Sequence, residues 1–179
     1  MIIKFHKVNL KKKFPLQISR GIHSESQNVF IEIIEDGITA WGESAPGKTE
    51  GATSAIEVEE SLVNFIEEGI EGISIHEVYQ KGKELKIPPC ALAGLDMALW
   101  DLKAKKAKLQ LNDLLGIPKP TTPTSITVGI NPPEIVKERV ELILNNPEIK
   151  AIKIKLGSPN GIEYDKEIYS QVFESTKKS

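Results

Sequence analysis

Cysteine is almost missing from this chain: Cys90 stands alone, so an internal disulfide and a thiolate metal cluster are both excluded. Set beside Pro88-Pro89 in an apolar run, Cys90 reads as an inert buried thiol rather than a nucleophile. Histidine is scarce too, and His6, His23 and His76 have no ligand-like spacing, so no metal site is argued from them. No apolar run approaches the roughly 20 residues of a membrane span. Met1-Ile2-Ile3-Lys4 passes straight into an alternating segment, so no secretory signal is expected and the expected setting is a reducing cytoplasm. Charge of one sign is also lacking. The formal net charge is −2, which gives no electrostatic reason to expect nucleic acid or an anionic membrane as partner. Lys11-Lys12-Lys13 is too short to alter that and reads as a solvated strand end. Internal repeats and low-complexity tracts are absent.

What is present is ordinary globular material, 40% hydrophobic and 27% charged over 179 residues, enough for one comfortable domain or two small ones. Three alternating stretches come first: one carrying Ile3, Phe5 and Val8, one over Phe14 to Ser19, and one over Val29 to Ile34. Asp36-Gly37 is a hairpin signal leading into Ile38 to Glu43, which completes a small antiparallel sheet. The Ala, Pro, Gly, Lys and Thr of Ser44 to Thr53 suit a mobile loop. Helical spacing follows. Ile56, Val58, Leu62, Phe65 and Ile66 form one stripe stopped at Gly69, and Val78 to Leu85 form a shorter one. Pro88-Pro89 opens the most apolar helix, in which Leu92, Leu95, Ala98, Leu99 and Leu102 recur.

Leu114-Leu115-Gly116 ends the helical run, and a Pro/Thr-rich passage from Pro118 to Thr124 is the expected domain boundary. Beyond it the pattern becomes strand, helix, strand, helix. Strands are expected at Ser125 to Ile130 and Ala151 to Leu156, with helices from Asn131-Pro132-Pro133-Glu134 through Leu144 and over Tyr164 to Thr176. That alternation argues for a parallel sheet or barrel covered by helices.

Chemistry is concentrated in Ala151-Ile152-Lys153-Ile154-Lys155-Leu156-Gly157. Ile152, Ile154 and Leu156 point one way and Lys153 and Lys155 the other, because strand side chains alternate. A wet edge strand would show the same pattern. In a parallel βαβ unit both faces are normally covered, so the lysines should face an interior or a cleft. Two neighbouring ammonium groups disfavour each other's charge, and desolvation adds to this, so one of them can act as a base at neutral pH. A base of that kind suits removal of a proton alpha to a carboxylate.

Four segments in this order, Phe14-Pro15-Leu16-Gln17-Ile18-Ser19-Arg20-Gly21, Trp41-Gly42-Glu43-Ser44-Ala45-Pro46, Leu95-Asp96-Met97-Ala98-Leu99-Trp100-Asp101-Leu102 and Lys153-Ile154-Lys155-Leu156-Gly157, carry a resemblance over essentially the whole chain. Together they resemble the muconate-lactonizing subgroup of the enolase superfamily, and within it the dipeptide epimerases, best known on L-Ala-D/L-Glu. The resemblance implies an α+β capping domain over residues 1–120, followed over 121–179 by the first two βα units of a (β/α)8 barrel. It implies an isomerase that moves a proton at the alpha carbon of a dipeptide or related carboxylate. Lys155 corresponds to the acid/base lysine, Lys153 to its helper, and Thr127 to a substrate-contacting threonine. Arg20 corresponds to a cap arginine that recognises the acidic end of the substrate, against the plain alternative of a surface arginine. Lys48 and Glu50 fall in a second specificity loop, where the correspondence is loose. Asp96, Trp100 and Asp101 read as structural landmarks and Glu43 as a fold-holding carboxylate.

In such enzymes the three magnesium-binding carboxylates lie on the third, fourth and fifth barrel strands and a second lysine on the sixth. A complete barrel takes roughly 250 residues, far more than 121–179 supplies. The expectations are therefore magnesium ligands outside this chain, a missing C-terminal barrel half as partner, a homo-oligomer of the full enzyme, and no activity by this chain alone. Related reactions of the subgroup, cycloisomerisation or o-succinylbenzoate synthesis, remain open, as does a non-catalytic binding module.

Overall fold

A computed structural model describes residues 1–177; the last two residues of the expected barrel segment lie outside the described residues. The chain divides into two compact units, one of Met1–Leu10 with Ser26–Lys119, the other of Lys11–Glu25 with Pro120 onward.

A three-stranded sheet runs in the order β1 (Ile2–Ile18), β2 (Gly21–Glu35), β3 (Ile38–Ser44), with the end of β1 and the start of β2 belonging to the second unit and the rest to the first. Two of the expected stretches, Ile3 to Val8 and Phe14 to Ser19, are thus one continuous strand, and β2 begins well before Val29. Alternation is silent through Lys11-Lys12-Lys13 and His23 to Glu25 because both faces there are exposed. Backbone ladder bonds need no buried side chain. Where one face is covered the pattern returns: Val29, Ile31 and Ile33 are buried, paired in antiparallel register with Ser44, Gly42 and Ala40. Asp36 and Gly37 both have positive φ, as a tight two-residue hairpin requires. Lys106 reaches the carboxylates of Glu35 and Asp36, and that bond and charge hold the Asp36 carboxyl below its ordinary pKa.

Against the sheet lie α1 (Ala55–Glu67), α2 (Ile75–Glu84) and α3 (Pro89–Ala107), with the single turn α4 (Leu111–Leu114) after them. Ser74 and Glu77 form a reciprocal capping box at the start of α2, Ser74 Oγ accepting from the Glu77 amide at 3.2 Å and Glu77 from the Ser74 amide at 2.7 Å. The closest packing is α3 on β3. A Cβ on Gly42 would stand 2.0 Å from the Gly94 carbonyl oxygen, and one on Gly94 would stand 2.7 Å from Ile31 Cδ1. Two glycines facing each other let helix backbone meet strand backbone. Leu95, Ala98, Leu62 and Phe65 then close a core with the sheet's isoleucines. At the outer edge of β3, Asp101 accepts the Trp41 amide at 2.9 Å and Lys105 donates to the Thr39 carbonyl at 2.9 Å, so α3 side chains occupy groups that an edge would leave open. Burial raises the Asp96 carboxyl, a hydrogen bond with Trp100 opposing it. Cys90 is half-buried, less than its apolar setting suggested.

The second unit is built on β4 (Ser125–Val128) and β5 (Ala151–Ile154), parallel, with α5 (Pro133–Leu144) between them and α6 (Ile162–Thr176) after. Both strands are shorter than the apolar runs that marked them. Val128, Ile130, Val136, Val140, Ile143, Ile168 and Val172 make a separate core, with Ile126, Ile152 and Ile154 packed on it. Isoleucines of the two strands thus point at the helices.

Candidate functional site

Since Ile152 and Ile154 face the helices, Lys153 is turned to the other side of the strand. It is paired in register with Thr127 of β4, so the threonine and the lysine share that side. The Lys155 amide donates to the Val128 carbonyl at 3.0 Å, one residue past the named ladder, which fixes Lys155 at the C-terminal end of the strand. Lys153 is exposed and Lys155 half-buried. The interior or cleft expected for both would need more strands than this unit supplies. Among the described residues its parallel strands are only two, β4 and β5, as one pair. Neither lysine forms an ion pair among the described residues.

A second element reaches the same strand ends. The Ile130 amide donates to the Gln17 carbonyl at 2.9 Å, and Asn131 Nδ2 donates to the Pro15 carbonyl at 3.2 Å. Gly129 has no room for a side chain, because Gln17 backbone atoms would stand 3.0–3.1 Å from its Cβ. Gly157, two residues after Lys155, would meet Ser19 Cβ at 3.3 Å. Residues 15–19 thus lie across the points where the chain leaves β4 and β5. The exposed turn residue Arg20 follows directly. Arg20, Thr127, Lys153 and Lys155 accordingly belong to one unit, although 106 positions separate Arg20 from Ile126 alone in the numbering. Beside them is a cavity of about 400 Å³ lined by Lys12, Lys13, Phe14, Ser125, Thr127 and Arg139 among others. The Arg139 guanidinium stands 5.0 Å and Lys13 Nζ 5.5 Å from the Phe14 ring centroid. No carboxylate lines that cavity.

Lys48 and Glu50 are in the other unit, exposed on a single 3-10 turn (Lys48–Glu50). Their loop, expected to be mobile, is drawn together by a bridge between Gly47 and Ala52. Glu43 accepts Asn28 Nδ2 at 2.6 Å, a cross-strand tie that agrees with a fold-holding role.

One residue escaped sequence reasoning altogether. Asp165, on the first turn of α6, is 7% exposed, and its carboxylate accepts the Gly157 amide at 2.8 Å and the Ser158 amide at 3.0 Å. An acidic residue just after a Gly-rich turn was the available signal, but such residues are common at helix starts and mostly solvated.

No group of three or more His, Cys, Asp or Glu side chains is gathered as a metal site would need, among the described residues. The donor set of this chain therefore does not fit a magnesium ion. No helix among them is long and apolar enough to cross a membrane.

Residues 2–116 match the family described as mandelate racemase / muconate lactonizing enzyme, N-terminal domain. A hydrophobic dipeptide epimerase of a Flavobacteria bacterium is 57% identical over 99% of this chain and 51% of its own length. Another, of Roseobacter litoralis, is 49% identical over 100% of this chain and 52% of its own. Among solved structures, the dipeptide epimerase of Enterococcus faecalis with Mg and L-Leu-L-Tyr superposes with a TM-score of 0.81 at 27% identity, covering 97% of this chain and 49% of that one. The chain spans about half the length of the curated relatives it matches.

Proposed function

Because the chain belongs to the mandelate racemase / muconate lactonizing enzyme family through its N-terminal domain, we propose that it is the N-terminal portion of a dipeptide epimerase, with residues 1–120 as cap and 121–179 as the start of a barrel. Its close relatives are dipeptide epimerases, that is, isomerases. In this reading the substrate is a dipeptide with an apolar side chain. The two relatives near half identity or above carry the hydrophobic activity in their names, which weighs more than the Ala-Glu activity that Arg20 first suggested. The observation that carries the reading is the shared face of Thr127 and Lys153, with Lys155 at the strand end and residues 15–19 laid against it.

Lys155 accepts the proton from one face of the alpha carbon. Lys153 stands two residues before it on the same side of the strand, within reach of the same substrate. Thr127 offers a hydroxyl to the substrate beside them. Arg20 presents a planar pair of donors that suits a carboxylate. Magnesium is bound by residues outside this chain, and a second proton-transfer group comes from there as well. By itself the chain is inactive.

Deuterium exchange at the alpha carbon of apolar dipeptides tests this. The chain alone is expected to give no exchange, and the chain completed by a C-terminal barrel half is expected to give exchange that Lys155→Gln lowers by about 10²–10⁴-fold, the range of a lost acid/base group. Exchange by the lone chain overturns the claim of inactivity. Undiminished exchange by Lys155→Gln overturns the role of the lysine.

A further inference from the structure

Acidic residues at the start of a helix usually serve the helix itself and stay in water. Glu163, two residues before Asp165, does so: its side chain is 79% exposed and pairs with Lys166 at 2.7 Å. Asp165 behaves otherwise. It is buried, no cation shares it among the described residues, and both of its bonds leave the helix for the amides of Gly157 and Ser158. A buried carboxylate without a counter-ion is costly unless hydrogen bonds satisfy it. Here two successive backbone N–H groups do so, brought to one point because Gly157 takes φ +95, a conformation that side chains with a Cβ rarely adopt.

We propose that Asp165 is a positioning residue for Lys155, clamping the backbone just past β5 so that the lysine keeps one position at the C-terminal end of the strand. The proposal rests on the reading of Lys155 as the proton-transferring group. Lys155 is gripped from both sides. Its own amide is tied back to Val128 at 3.0 Å, and Leu156 alone separates it from the clamped Gly157. Without Asp165 two amides lose their acceptor and the strand end is free to fray. The same loop stands against Ser19, so it cannot be replaced by a looser one without disturbing the neighbouring turn.

The test compares Asp165→Asn and Asp165→Ala with the parent chain, each completed by the C-terminal barrel half, in alpha-proton exchange of an apolar dipeptide. A displacement on the order of 1 Å at a reacting group costs about 10²-fold. The expected result is a kcat lower by about that factor in Asp165→Ala, less in Asp165→Asn, which keeps one acceptor, with KM changed less than about threefold. An unchanged kcat with only a lower melting temperature makes the residue merely structural and overturns the proposal. Lys155→Gln runs alongside: if it retains full exchange, the reading of Lys155 fails, whatever Asp165 does. If the Asp165 variants do not fold, amide exchange in the parent chain decides. Slow exchange at Gly157 and Ser158 supports the clamp, and exchange at unprotected rates overturns it.

Discussion

The two units of the chain finish their surfaces differently. In the first, α3 lies tight on β3 through Gly42 and Gly94, and Asp101 and Lys105 take up the free groups along the outer strand. In the second, the helices cover one side of β4 and β5, while Leu156, Tyr169 and Phe173 are 48%, 53% and 46% exposed. Tyr169 and Phe173 stack on each other at 6.1 Å along α6. The residues proposed for chemistry all belong to the second unit. A group that must meet a substrate cannot also be sealed in a core.

That contrast can be broken most severely at Gly42. Replacing it with Val drives a side chain into the Gly94 carbonyl, and overpacking of this kind costs roughly 3 kcal/mol. Urea unfolding should show the loss; a midpoint unchanged from the parent would mean that the α3–β3 approach is not tight. A smaller effect is expected on the surface of α6. Phe173→Ser should cost about 1 kcal/mol, the loss of a half-exposed ring stacked on Tyr169, and should lower the binding of a dye that reports exposed apolar surface. A large loss of stability would show that Phe173 is already covered.

The smallest effect concerns acid. Lys106 lowers Asp36, hydrogen bonds from Thr53 lower Glu57, and those from Ser74 lower Glu77. Each carboxyl is depressed in the folded chain, so its contribution is complete above its unfolded value, 3.8 for Asp36 and 4.5 for the two glutamates, and is lost as pH falls through the lower folded value. All three belong to the first unit. A thermal melt followed between neutral pH and acid should fall below those values, and Asp36→Asn, Glu57→Gln and Glu77→Gln together should flatten the fall.

Much of this architecture was written in local pattern. Asp36-Gly37 announced its turn and Lys153-Ile154-Lys155 its two-sided strand, because each is set by neighbours in the chain. What local pattern could not carry was contact over distance. The middle of β1 and β2 has no buried side, so no alternation marked it as strand. Grouping of Lys11–Glu25 with the second unit depends on bonds from Gln17 and Pro15 to Ile130 and Asn131. Asp165 looked like any first-turn acid until its partners were known.

Those last bonds bear on how the chain is made. Pro15 and Asn131 are 116 positions apart. At about 5–20 residues per second the ribosome needs roughly 6–23 s to reach the second after the first. Throughout that interval Phe14 to Ser19 has been synthesised and its receiving strand has not. Contacts of such long separation are slow to form even in a finished chain. A charged stretch, Lys11-Lys12-Lys13, sits immediately before this waiting segment, the placement that gatekeeper charges take beside apolar strands.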